Sequence, residues 1–405
     1  MKPVIIVGAG LAALRTAEAL RASAWNGPIT VVGEEVHPPY NRPPLSKQAL
    51  RGGLAQADLA FRSKASLADI SWLLGTRVVH AEVEKGLVIT DDGRELEGSA
   101  LVAATGVRPR RLPLRAGAPL TGAAGLHVVR TLEDSKALQQ QLVAGQRLAV
   151  IGAGFIGCEV AATARGLGVE VVCTAADEEP MIRPLGRELA RALRLRHEEH
   201  GVKFRLGVGT RAVIGDSRVT AVELTDLSTL EANIAVEAVG SQCNTEWLDG
   251  NDVDTTNGVL TDNSLRVLRA GGEPYERFFA VGDVARFPNP IFDDVPRRVE
   301  HWNIPTATGR RAGEILAASL VGLATRDVKP SVFSPMPTFW SDQYDFRILS
   351  FGLPHLATSS IVVAGSLEGD VVVAYHRDDV LVGVVGVGMT KSVTEYSKRI
   401  GHRSA

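Results

Sequence analysis

Val4-Ile5-Ile6-Val7-Gly8-Ala9-Gly10-Leu11-Ala12-Ala13 is an apolar run that feeds straight into a glycine-rich turn. The pattern returns 144 residues later as Leu148-Ala149-Val150-Ile151-Gly152-Ala153-Gly154-Phe155-Ile156-Gly157. Short β-branched runs of this kind read as buried strands, and the residues that follow predict helices near 11–22 and 155–166. In such a turn the first glycine (Gly8, Gly152) permits the tight strand-to-helix reversal. The second (Gly10, Gly154) lets backbone approach a pyrophosphate, and the third small residue (Ala13, Gly157) lets helix pack on strand. The anion then rests on uncapped N–H groups at a helix N-terminus, where the helix dipole favours negative charge. One such fingerprint is weak evidence, since an ordinary tight turn can carry it. Two of them, each behind its own strand, predict a chain that holds two dinucleotides.

The first unit continues into a second strand, Ile29-Thr30-Val31-Val32, which ends at Gly33-Glu34. Glu34 stands 26 residues after Gly8, near where an acid accepts hydrogen bonds from a ribose. The competing reading is a solvated charge in the pair Glu34-Glu35. In the second unit the strand Val169–Cys173 is followed by Thr174-Ala175-Ala176 and then Asp177-Glu178-Glu179, so the expected acid is missing. No arginine occupies 174–176 to take a 2′-phosphate either, which favours NADH, although Arg183 and Arg187 follow closely and leave NADPH open.

Two later segments extend the pattern. Leu101-Val102-Ala103-Ala104-Thr105-Gly106 reads as a strand ending in a small-residue turn, and Phe278-Phe279-Ala280-Val281-Gly282-Asp283 as a strand whose terminal carboxylate can bond a polyol. Each alone is compatible with a plain buried strand. Their order behind the two fingerprints is what gives them weight.

The 405 residues allow two or three domains, with 45% hydrophobic and 22% charged residues. A net charge of −2 gives no global attraction to nucleic acid or anionic membrane. The three cysteines, Cys158, Cys173 and Cys243, have neither disulfide nor metal-ligand spacing, as expected for a reducing cytoplasm. The first strand begins almost at residue 1, without a signal-peptide pattern, and no apolar run reaches the ~18 residues of a spanning helix.

Combined with Pro39-Tyr40-Asn41-Arg42-Pro43-Pro44-Leu45-Ser46-Lys47, Val299-Glu300-His301-Trp302 and Phe339-Trp340-Ser341-Asp342-Gln343-Tyr344, these motifs resemble the two-dinucleotide flavoprotein disulfide reductase superfamily. Within it the chain is similar to the FAD-dependent NAD(P)H:ferredoxin reductases that serve bacterial oxygenases. The likeness spans nearly the whole chain. Departures are Ala175 at the usual acid position and Ser241-Gln242-Cys243 after Gly240, where an apolar pair is commoner.

The resemblance implies an α/β fold with two Rossmann-like, glutathione-reductase-like domains and a C-terminal α+β domain. Residues 1–110 and 244–321 would bind FAD, 111–243 NAD(P)H, and 322–405 would form the third domain, with Phe339 and Trp340 near the flavin. Alternating stretches at 360–364, 370–375 and 380–385, with a turn at 376–379, predict antiparallel strands there. FAD would meet Gly8, Gly10, Ala13, Glu34, Arg42, Lys47, Ala104, Thr105, Gly106, Arg130, Gly282, Asp283 and Trp302. NAD would meet Gly152, Gly154, Gly157, Glu159 and Gly240.

Disulfide reductases carry a Cys-x₄-Cys pair in the region of Arg42 to Lys47, whereas this chain has no cysteine before 158. A thiol relay is therefore not expected, and Cys158 reads as a small buried core residue. What remains is a flavin that takes a hydride and releases electrons singly to an external carrier. The resemblance places Lys47 against the flavin and Glu159 opposite it, beside the nicotinamide, to align the hydride. The competing readings are a solvated Lys47, a Glu159 that serves only the helix dipole, and a Trp302 that is a core aromatic.

Pro305 predicts a helix start behind Trp302, able to stabilise charge on reduced flavin. Arg297, Arg298, Arg310 and Arg311 bracket that segment as a docking patch for an acidic two-iron ferredoxin feeding an oxygenase, or as a solvated basic face. The alternative functions are an NADH oxidase or quinone reductase, and a redox-sensing flavoprotein like apoptosis-inducing factor.

Overall fold

The computed structural model describes residues 1–62, 64–112, 124–322 and 332–402. The expected domain junctions at 110/111 and 321/322 run into 113–123 and 323–331, which lie outside the described residues. The chain forms two compact units. One comprises Met1–Asn41, Ala60–Arg108 and Cys243–Thr338, and the other Arg42–Leu59, Pro109–Gln242 and Phe339–Ala405.

In the first unit, the run Val4–Val7 is fully buried and lies between two parallel neighbours, Ile29–Gly33 and Ala100–Ala103. Burial on both faces is why it reads as continuous apolar sequence rather than as an alternation. The sheet has six strands, running from Arg266–Leu268 and Pro274–Ala280 through Ala100–Ala103, Val4–Val7 and Ile29–Gly33 to Ser71–Leu74. Helix Leu11–Ala22 follows the first glycine turn, as expected. Helix Ile304–Leu320 lies close against it: a Cβ on Gly309 would press on the Ala12 carbonyl, and one on Gly313 would press on Ala19 and Thr16.

The second unit repeats the plan with five parallel strands, Lys203–Leu206, Glu170–Ala175, Arg147–Ile151, Ile234–Glu237 and Leu126–His127. Helix Phe155–Gly166 leaves the second glycine turn. Apart from Thr338, the unit also contains an antiparallel sheet that runs Thr338–Gln343, Phe346–Gly352, Val380–Val387, Val371–Arg377 and Ser359–Gly365. The strand expected to stop at 375 continues through His376 and Arg377, so the hairpin turns at Asp378, whose φ is +54°. Cys158, Leu189 and Leu193 pack with Ile348, Val373, Val385 and Val387, which joins the nucleotide-type helices to the antiparallel sheet in one core. No helix among the described residues is long and apolar enough to cross a membrane.

Candidate functional site

Each glycine turn has the shape a pyrophosphate requires. Gly8 has φ +107° and Gly152 φ +103°, and a Cβ on either would lie under 3.0 Å from a backbone carbonyl oxygen, of Ala104 or Ala238. Both positions therefore demand glycine. Gly10 and Gly154 have no atom within 4 Å of where a Cβ would stand, so open space faces the backbone there. Neither helix start has a side-chain cap or an acid in its first turn, leaving N–H groups for an anion. The third position differs between the units: Ala13 is tolerated and buried, whereas a Cβ on Gly157 would strike the Gly152 carbonyl.

In the first unit Ala104 and Gly282 stand against this turn and its helix. Ala104 N–H donates to Val7 O at 2.7 Å, and Thr105 Oγ1 donates to Asn244 O at 2.7 Å, which ties the turn through Gly106 in place. Gly282 N–H donates to Thr308 Oγ1 at 2.9 Å, and a Cβ on Gly282 would meet Ala12. Gly282-Asp283 thus stands beside both the first fingerprint helix and the start of helix Ile304–Leu320, which has Pro305 in its first turn and no acid there. Glu34 is exposed directly after strand Ile29–Gly33. Trp302 is 39% exposed and donates Nε1–H to Asn41 Oδ1 at 3.3 Å, so it is not a core aromatic.

In the second unit, Pro43 and Pro44 wind residues 43–46 into a 3₁₀ turn. The Leu45 carbonyl accepts from Ser135 Oγ at 2.8 Å and the Ser46 carbonyl from Thr163 Oγ1 at 3.1 Å, which anchors the turn to two helices. Lys47 is thereby held inside. Its Nζ lies 2.8 Å from Glu159 Oε2, with side chains 9% and 7% exposed, so neither the solvated lysine nor the exposed helix-start acid applies. Ser46 Oγ also donates to Glu159 Oε2, and Ser341 Oγ donates to Oε1 at 2.7 Å. Arg42 Nη1 donates to the Arg130 carbonyl at 2.6 Å, bringing those two basic residues together. Gly240, φ +97°, accepts from Arg110 N–H at 2.9 Å.

Sequence reasoning quoted Ser46 and Ser341 only as parts of motifs. It missed Gln343 as a site residue and His197 altogether. Gln343 Nε2–H donates to Ser341 Oγ at 3.0 Å, and His197 Nε2 lies 2.7 Å from Gln343 Oε1. Burial lowers the His197 pKa to about 4. A cavity of about 230 Å³ is lined by Lys47, Arg51, Thr163, Asp342, Tyr344 and Arg347 among others. Cys158 is fully buried, and desolvation pushes its thiol well above the usual range, so it is no nucleophile.

At the second nucleotide turn, Arg183 pairs with Asp177 at 3.2 Å and Arg187 with Glu178. The proposed docking arginines are partly neutralised as well. Arg297 grips Asp293, with Nη2 to Oδ2 at 2.9 Å, and Arg298 pairs with Glu300, while Arg310 is exposed.

Two Rossmann-like nucleotide cradles, one per unit, and an antiparallel C-terminal sheet define a two-dinucleotide oxidoreductase. The chain belongs to the pyridine nucleotide-disulphide oxidoreductase family, whose model matches residues 2–309, and residues 338–405 match the reductase C-terminal family. It is 36% identical over 91% of its length, and 86% of the other's, to the ferredoxin–NAD(+) reductase component of the anthranilate 1,2-dioxygenase system of Burkholderia cepacia. It is 34% identical to putidaredoxin reductase CamA of Pseudomonas putida, covering 94% of this chain and 87% of that one. Among solved structures it is similar to the reductase–putidaredoxin covalent complex, with a TM-score of 0.88, 32% identity and coverage of 98% of this chain and 92% of that one.

Proposed function

We propose that the protein is an FAD-dependent ferredoxin reductase that passes electrons from NAD(P)H, preferentially NADH, to a two-iron ferredoxin feeding an oxygenase in the cytoplasm. The observation that carries this reading is the buried Lys47, ion-paired with Glu159, which stands in the region where thiol reductases need a cysteine pair. When bound, FAD accepts a hydride from the nicotinamide and releases its two electrons one at a time.

The residues supply binding and alignment. The turns at Gly8–Gly10 and Gly152–Gly154 receive the two pyrophosphates, with 1–110 and 244–321 serving FAD and 111–243 serving NAD(P)H. Glu34 and Asp283 take hydroxyls of the FAD ribose and ribityl chain, and Arg42 and Arg130 face its phosphates. Trp302 and the start of helix Ile304–Leu320 border the flavin ring. Lys47 carries positive charge to the point where negative charge arrives, and Glu159 fixes its direction, so the gain is one of geometry rather than proton exchange. The loss of the ribose acid at Ala175 removes the usual repulsion of a 2′-phosphate. The pairing of Arg183 and Arg187 with acids keeps NADH the preferred donor in this reading.

The test is anaerobic stopped-flow reduction of the bound flavin by NADH and NADPH side by side, followed by steady-state reduction of two-iron ferredoxins. Fast flavin reduction with efficient ferredoxin turnover is expected. Preference for oxygen or quinone would favour an oxidase or quinone reductase. A long-lived reduced complex without turnover would favour a redox sensor.

A further inference from the structure

We infer that Ser341, Gln343 and His197 are positioning residues for Glu159, forming a hydrogen-bond chain in which every donor points toward its carboxylate. The inference rests on the role proposed for Glu159 in hydride alignment. Ser46 and Lys47 both approach Oε2, so among the described residues Ser341 is the one donor to Oε1, at 2.7 Å. A hydroxyl has a single proton, and where it points is decided by what fills its lone pairs. Gln343 Nε2–H, 3.0 Å from Ser341 Oγ, fills one of them and so turns the Ser341 proton onto Glu159. The amide is oriented in turn by His197 Nε2–H on Gln343 Oε1 at 2.7 Å, while Gln343 Nε2 also lies 3.6 Å from Met181 Sδ. On the far side of the imidazole, the Tyr344 hydroxyl lies 3.1 Å from Nδ1, where it serves as donor. Tyr344 is fixed by a left-handed backbone, φ +51°, and by stacking on His200 at 3.8 Å.

The links are not independent. Protonating His197 at Nδ1 instead of Nε2 would require the amide to flip, and Gln343 Oε1 would then draw the Ser341 proton away from Glu159. The ionised Glu159–Lys47 pair selects the first polarity, and burial keeps the imidazole neutral so that the choice exists. Such a chain does not conduct protons outward, because the amide N–H offers Ser341 no lone pair to receive one. It is an orienting device, built from a helix residue and two residues of the strand Thr338–Gln343.

The test combines spectroscopy with kinetics on the FAD-loaded protein. With ¹⁵N-labelled histidine, and His197 assigned by the loss of its signals in His197→Asn, the ring should appear as the neutral Nε2–H tautomer at pH 7. The Nδ1–H tautomer would overturn the inference. Ser341→Ala should slow hydride transfer from NADH to the flavin on the order of tenfold, with the NADH dissociation constant unchanged. Ser341→Thr, which keeps the hydroxyl, should recover most of the rate. A Thr variant as slow as the Ala variant, or an Ala variant at full rate, would refute the positioning role. If the unaltered protein transfers no hydride to its flavin, the reductase assignment fails, and the tautomer measurement still reports on the chain by itself.

Discussion

Alanine at the first and second glycines of a fingerprint should have opposite consequences, and the geometry gives their sizes. At Gly8 an alanine would hold φ near +107° and drive its methyl group into the Ala104 carbonyl, a backbone atom that cannot rotate away. The positive φ costs about 1–2 kcal/mol, and overpacking adds about 1–3 more, so Gly8→Ala should destabilise the first unit by roughly 2–5 kcal/mol. At Gly10, φ is −93° and ψ −165°, an extended conformation alanine accepts, and nothing lies within 4 Å of the new methyl. Gly10→Ala should therefore keep the fold to within about 0.5–1 kcal/mol, with the sign set by the stiffer unfolded chain. Its methyl group would, however, enter the space assigned to the pyrophosphate, and FAD affinity should fall at least about tenfold, or 1.4 kcal/mol. Chemical denaturation of the apoprotein and titration of FAD by flavin fluorescence quenching separate the two effects. Gly152→Ala and Gly154→Ala repeat the experiment in the second unit with NADH as ligand. A Gly10→Ala protein that binds FAD as tightly as its parent would show that the phosphate lies elsewhere.

Lys47→Ala or Glu159→Ala should slow flavin reduction by roughly ten- to a hundredfold, about 1.4–2.7 kcal/mol in the barrier, with FAD retained; unchanged hydride transfer in both would sink the assignment. Arg310→Glu should raise the apparent KM for ferredoxin in a salt-sensitive way and leave ferricyanide reduction alone. It is a cleaner probe than reversing Arg297 and Arg298, which also breaks their ion pairs with Asp293 and Glu300, and equal effects on both acceptors would dismiss the patch. His197 favours the neutral ring, because burial lowers its pKa from an ordinary 6.5 to about 4. Its contribution to stability is thus complete above pH 6.5 and is lost as pH falls toward 4, by at most about 3 kcal/mol. The pH dependence of urea unfolding should flatten over that window in His197→Asn, and parallel profiles would contradict it.

The sequence made the local elements legible and left most long-range partners hidden. Both glycine turns, their strands and their helices could be read because each is specified within a dozen residues by φ, burial and packing. The serine partners of Glu159 could not, since Ser46 is 113 and Ser341 182 residues away and the meeting with Ser341 depends on how the antiparallel sheet packs on the nucleotide-type helices. One local signal for His197 lies in its own helix. Leu189, Leu193 and His197 recur at helical spacing, which marked a histidine on a buried stripe.

The close seat of helix Ile304–Leu320 on helix Leu11–Ala22 bears on the order in which the protein can be made. A ribosome releases Val4–Val7 first, yet the strand Pro274–Ala280, the turn Gly282-Asp283 and the helix that locks at Gly309 and Gly313 come roughly 270 residues later. By then strands Arg147–Ile151, Glu170–Ala175, Lys203–Leu206 and Ile234–Glu237 are all present, so the five-stranded parallel sheet can close while the earlier-born sheet still waits for Pro274–Ala280. Of the two parallel sheets, the one whose first strand is translated earlier is completed later. An N-terminal fragment ending before residue 300 would carry every quoted glycine of the first turn and still lack the helix that packs on Leu11–Ala22.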